Sequence, residues 1–156
     1  MATPQQLENL RNLFLAAQTS EHIFPAMAAC EACLETGWLS SVLGNEYNNL
    51  FGQKQSVEPI YLTVHLPTQE VQGGHTFNVT AAFVWFPTKA VAFTERMNLL
   101  LRLQDEYPDY KAALHAANAD DYVRAVSRKW STDPDRAEKC LEIYYAHPGI
   151  FNEVTA

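Results

Sequence analysis

Apolar residues recur at helical spacing from the start of the chain. Leu7, Leu10, Phe14 and Ala17 share one helix face, with Thr3 as a capping residue, Pro4 at the first helical position and Gln6 at the third. This predicts a helix from Pro4 to about Gln18. A second, short and largely apolar helix is expected from Pro25 to Thr36, stopped by Gly37 in a left-handed conformation. Ser40 to Tyr47 can add one or two helical turns, and Asn48 to Gly52 reads as irregular chain leading into extended structure. The period then changes. Ile60, Leu62, Val64 and Leu66 alternate, as do Phe77, Val79, Ala81, Phe83 and Trp85, and Gly73-Gly74 between the runs is a turn signal. An antiparallel hairpin is predicted. Helical spacing returns with Val91, Thr94, Met97 and Leu101 behind the cap Thr88, through about Asp105. Three more helix starts follow: Pro108, running to about Ala117, then Asn118 with Asp121 three residues on, then Asp133-Pro134.

The expected architecture is mainly α (α+β), a helical domain with a β lobe at about 58–86 and a ligand cleft between the two. A chain of 156 residues, 47% hydrophobic and 19% charged, suits one domain with its own core, and no repeat, low-complexity tract or linker divides it. A net charge of −7 disfavours nucleic acid and anionic membrane as partners. No apolar run reaches the roughly 18 residues of a membrane span. Met1 to Glu8 lacks a secretory pattern, so synthesis in the cytoplasm is expected. The three cysteines, Cys30, Cys33 and Cys140, fit a reducing compartment.

Among candidate chemical groups, Glu35 is distinctive. It lies in the last turn of an apolar helix beside Cys33, Leu34 and Trp38, where the helix's negative end and desolvation would both favour a protonated carboxyl, as a general acid requires. The plainer alternative is a solvated glutamate, with Glu31 one turn earlier. Cys30 and Cys33 have no second ligand pair, so no metal is expected. The five histidines are scattered, no catalytic triad is readable, and the glycines form no phosphate loop, so no cofactor is expected.

Glu35-Thr36-Gly37-Trp38, followed by Asn49-Leu50-Phe51-Gly52-Gln53-Lys54, resembles the glucosaminidase family of peptidoglycan hydrolases, glycoside hydrolase family 73, with its motifs E-S-G-W-G and N-L-F-G-x-K. Thr68-Gln69-Glu70 before Gly73 is similar to the family's T-x-E, Phe83 to Phe86 stands in place of F-R-x-Y, and Trp130 to Pro134 is similar to Y-A-T-D-P. The resemblance implies a lysozyme-like fold and hydrolysis of the β-1,4 bond following N-acetylglucosamine in peptidoglycan. It assigns Glu35 as general acid and Glu70 as second carboxylate, with Asn49, Phe51, Trp85, Trp130 and Trp38 as candidate substrate-binding residues. Trp38 also suits a core anchor, and Glu95 occupies a place where the family often has an acidic residue.

The departures are Thr36, Leu39, Val84, Phe86 and Trp130, none of which removes a carboxylate. Two alternatives stay open: an N-acetylmuramidase, and a catalytically weak peptidoglycan-binding module. A domain of this kind suits action on the bacterial cell wall, as a phage lysin or a secreted effector.

Overall fold

The computed structural model describes residues 1–155, with side chains as far as Asn152. The order is α1 (Pro4–Thr19), α2 (Pro25–Thr36), α3 (Val42–Asn45), β1 (Leu62–Gln72), β2 (His75–Trp85), α4 (Lys89–Leu103), α5 (Pro108–Leu114), α6 (Ala119–Trp130), α7 (Arg136–Ala146) and α8 (Pro148–Thr155). The class is mainly α (α+β), as predicted. Helix starts follow their capping residues. Thr3 and Gln6 form a reciprocal capping box on α1, Thr88 accepts from Val91 N–H, and Asn118 accepts from Asp121 N–H.

Three features differ from the sequence expectation, the first being α5, which ends at Leu114 and not near Ala117. The helix expected at Asp133-Pro134 begins only at Arg136, because side chains capture the backbone donors before it. Asp133 N–H donates to Ser131 Oγ at 3.0 Å, and Asp135 N–H to Asp133 Oδ1 at 2.9 Å. Helix α8 was not anticipated; it starts at Pro148, directly after the α7 cap His147, with no intervening loop to announce it.

Helix α2 runs through the centre, and from Met27 to Cys33 every residue is buried, the charged Glu31 included. Around it pack Leu10, Leu13, Phe14 and Ala17 of α1, Phe93 and Leu100 of α4, Tyr122 and Val126 of α6, and Cys140 of α7. Gly37 ends α2 at φ +56°, and Trp38 and Leu39 follow in the same left-handed region at +59° and +65°. Leu39 therefore bears backbone strain of about 1–2 kcal/mol at the place where the resembling motif has glycine. Helix α3 comes so close that a Cβ on Gly44 would lie 2.5 Å from Thr36 Cγ2.

The hairpin pairs Leu62 with Trp85 through to Gln72 with His75, and Lys54 adds an isolated bridge to Phe83. Burial is confined to its base, at Val64, Phe83 and Val84; residues 71–78 near the tip are exposed. Asn48 and Asn49 tie this base to the helical body. Asn48 Nδ2 donates to Phe86 O at 3.1 Å, Asn49 Nδ2 donates to Val84 O at 2.9 Å, and Lys89 Nζ donates to Asn48 Oδ1 at 2.9 Å.

Candidate active site

Glu35 ends α2 with 28% of its side-chain surface exposed. The apolar surroundings expected from the sequence are not what it meets. Arg136, the first residue of α7, places Nε 2.8 Å from Glu35 Oε1, while Oε2 has no protein partner among the described residues. A cation thus stands behind the carboxylate, and one oxygen faces outward.

Arg136 is itself 1% exposed and held from the interior. Its Nη1 donates to Ser127 Oγ at 2.8 Å, and its Nη2 lies 2.9 Å from Glu31 Oε2, a charge contact too poorly aligned to count as a hydrogen bond. Glu31 is fully buried, which corrects the alternative of a solvated pair. Arg96 grips it with both terminal nitrogens, at 3.2 and 2.6 Å, and the Tyr122 hydroxyl donates to Oε1. Burial alone would push the Glu31 carboxyl up; the charges of Arg96 and Arg136, with the hydrogen bonds from Arg96 and Tyr122, outweigh it and hold it at about 2. Burial, then Arg96, pushes His22 down to about 4, with its Nε2 3.4 Å from Arg96 Nη1.

The Arg96 guanidinium lies between two rings, its Cζ 4.4 Å from the centroids of both Phe51 and Trp130. Phe51 is buried, in edge contact with Phe93 and Trp130. Asn49 is buried too, and its amide is engaged within the protein: besides Val84 O, it donates to Gln53 O and accepts from Gln53 N–H, each at 2.9 Å. Local spacing signals neither role. What was visible in the sequence is that Glu31 sits among Met27, Ala28, Cys30, Ala32 and Leu34 on a central helix, so that burial obliges it to find cations. Arg96 and Arg136, which answer that need, carry no local motif.

Glu70 lies on β1 opposite Phe77, and Lys54 Nζ meets its Oε1 at 2.8 Å, with both side chains well exposed. In a flat ladder Glu70 would stand about 20 Å beyond Val64, outside the joint reach of a lysine bridged at Phe83 and a glutamate. The hairpin therefore curls over the face carrying Val64, Phe83 and Glu70. Trp85 is 40% exposed and meets the Tyr47 ring edge-on at 4.9 Å. Trp38 packs elsewhere, edge-on to His147 at 6.0 Å, with Asn9 Nδ2 donating to its carbonyl at 3.0 Å. Glu95 accepts from the Tyr61 hydroxyl at 3.1 Å.

An open hollow of about 950 Å³ runs along α6 and the loop to α7, walled by Ser127, Trp130, Thr132, Asp133 and Pro134. Ser127, which holds Arg136, joins this wall to the Glu35 cluster. A second hollow, about 320 Å³, lies between the hairpin base and α4, with Gln53, Lys54, Tyr61 and Glu95 on its walls. The buried Oε1 of Gln53 has no partner there.

A helical body carrying an acidic residue at the end of its central helix, with an antiparallel hairpin beside it, is a lysozyme-like arrangement. Solved structures share it. The catalytic domain of the autolysin Auto from Listeria monocytogenes matches with a TM-score of 0.77 and 21% identity, over 95% of this chain and 88% of that one. A C-terminally truncated glycoside hydrolase domain of FlgJ from Salmonella typhimurium matches at 0.72 and 24%, over 92% and 98%. The chain belongs to the glucosaminidase family, described as mannosyl-glycoprotein endo-beta-N-acetylglucosaminidase, whose model matches residues 11–148. The exo-glucosaminidase LytG of Bacillus subtilis is 30% identical over 124 residues, 78% of this chain and 43% of LytG. The peptidoglycan hydrolase FlgJ of Vibrio parahaemolyticus is 28% identical over 76% of this chain and 39% of its own. The chain thus spans about two fifths of the length of these relatives. No helix among the described residues is long and apolar enough to cross a membrane.

Proposed function

We propose that this chain is a glycoside hydrolase of the bacterial cell wall, an endo-β-N-acetylglucosaminidase cutting the β-1,4 bond that follows N-acetylglucosamine in peptidoglycan. The observation that carries the reading is Glu35: a partly exposed carboxyl whose Oε1 is anchored to Arg136 and whose Oε2 is open to an incoming group. Family membership supplies the substrate class.

In this reading Glu35, once protonated, gives its proton from Oε2 to the glycosidic oxygen as the bond from that oxygen to the anomeric carbon breaks. Glu70, on the curled hairpin, supplies the opposing negative charge. It either activates the water that adds to the anomeric carbon or orients the substrate's 2-acetamido group to do the first displacement. Trp130 and Trp85 offer aromatic surface for sugar rings. Asn49 and Phe51 contribute from beneath, by fixing the Gln53–Lys54 segment and the Arg96 sandwich. Trp38 anchors the turn after the acid.

Mass spectrometry of borohydride-reduced fragments from purified peptidoglycan tests reaction and residues together. Fragments ending in reduced N-acetylglucosamine are expected. Glu35→Gln should slow their release by roughly 10²–10⁴-fold, and Glu70→Gln should lower it strongly as well. Reduced N-acetylmuramic acid ends would instead make the chain a muramidase, and binding without cleavage would make it a wall-binding module. Because LytG is named an exo-glucosaminidase, fragment length also matters: long early products mark internal cutting, and disaccharides alone mark cutting from chain ends.

A further inference from the structure

We infer that Arg136 is a positioning residue for Glu35. It pins Oε1 so that Oε2 is the oxygen presented to the substrate. This rests on the reading of Glu35 as the acid, and deepens it.

Three contacts fix the guanidinium independently of any substrate. Glu31 lies 2.9 Å from Nη2, Ser127 Oγ is 2.8 Å from Nη1, and Glu35 Oε1 is 2.8 Å from Nε. Glu31 cannot give way, since Arg96 and Tyr122 hold it from two other helices. Only Glu35, at the outer end of the chain of contacts, is free to exchange partners with solvent. The cluster behaves as a rigid bracket with one working face, and a side chain so fixed loses little orientational entropy on reaching the transition state. The charged or titratable groups facing Glu35 are Arg136 and Cys140 from α7 and, one turn earlier on α2, Glu31. Among them Arg136 is the cation in direct contact.

Arg136→Gln removes the charge without stranding a buried one, because Glu31 keeps Arg96 and Glu35 reaches solvent. The experiment measures kcat and KM separately on purified peptidoglycan for the wild type, Arg136→Gln and Arg136→Lys, with binding of wall fragments to each as a readout that does not depend on turnover. In Arg136→Gln kcat should fall roughly 10- to 100-fold from lost alignment, with KM and fragment binding little changed. Arg136→Lys should also lose kcat, since a single ammonium cannot hold Glu31, Ser127 and Glu35 together. A folded Arg136→Gln with wild-type kcat, or one whose loss lies wholly in KM, would overturn the inference. If the glutamine variant does not fold, a lysine variant with full kcat would overturn it. Full activity in Glu35→Gln would sink the acid assignment itself, an outcome separable from either of these.

Discussion

Two candidate carboxylates each meet a cation at 2.8 Å, and the resemblance ends there. Arg136 is buried and braced by two other residues behind Glu35; Lys54 stands in solvent, and with Glu70 it joins the outer part of the hairpin to the strand-like segment at its base. Distance alone does not tell what an ion pair does. In the helical body the pair is the outer edge of a cluster whose innermost charges, Glu31 and Arg96, are fully buried and depend on each other. On the hairpin the pair is screened, replaceable and placed on an element that can move without unfolding the rest. On the proposed reading the acid is thus built on a braced, buried support, and its partner carboxylate on an exposed one.

Breaking the interior cluster should have the largest effect. Glu31→Ala leaves Arg96 buried without its carboxylate and should cost about 3–5 kcal/mol, read as a lower urea midpoint, a large share of what a domain this size possesses. The corresponding cut on the hairpin, Lys54→Met, should change stability by less than about 1 kcal/mol while altering the rate on peptidoglycan. Equal losses in the two variants would erase the distinction.

Acid should sharpen it next. His22 titrates at about 4 in the folded chain against 6.5 as a free side chain, so between those values the unfolded chain binds the extra proton. Stability is therefore full above pH 6.5 and falls as pH drops to about 4, by about 3 kcal/mol. Glu31 has the same sign with a lower window: its contribution is present above about 4.5 and is lost as pH falls toward about 2. Urea midpoints at pH 7, 5.5 and 4.5 check this, and His22→Phe should flatten the upper part of the curve. The smallest expected effect is that of salt. Raising ionic strength should loosen Lys54–Glu70 and leave the Glu31 cluster unmoved, visible as faster amide exchange in β1 and β2 with no change in α2.

Most of the fold was legible because its boundaries are local chemistry. Thr3, Thr88 and Asn118 cap the helices they were expected to cap, Gly37 stops α2, and Gly73-Gly74 turns the hairpin. Boundaries slipped where side chains competed for backbone donors, at Ser131 and Asp133, and where one helix followed another without a loop, at Pro148. Of the proposed site, Glu35 and Glu70 were named through the motif resemblance. The bracket was not: Arg96 and Arg136 lie on separate helices, and nothing within several residues of either says that it meets Glu31. Asn49 was legible as a position but not in its role, since an amide that could serve a sugar serves the backbone of Gln53 and Val84 equally well.

The separations within the buried cluster also set an order of events during biosynthesis. Glu31 must wait for Arg96, 65 residues later, and for Tyr122, 91 later, while Glu35 meets Arg136 across 101 residues. A ribosome that has released only α1, α2 and the hairpin has delivered the central helix with its carboxylate unneutralised. That helix cannot be enclosed until the last third of the chain emerges. Closure is then late, long-range and all at once, with contacts whose loop entropy is met only when both arginines arrive. Truncation before α7, which removes Arg136 together with the buried Cys140 and Leu141, should therefore yield a chain that does not close its core, and nascent chains stalled before Arg136 should remain open to protease.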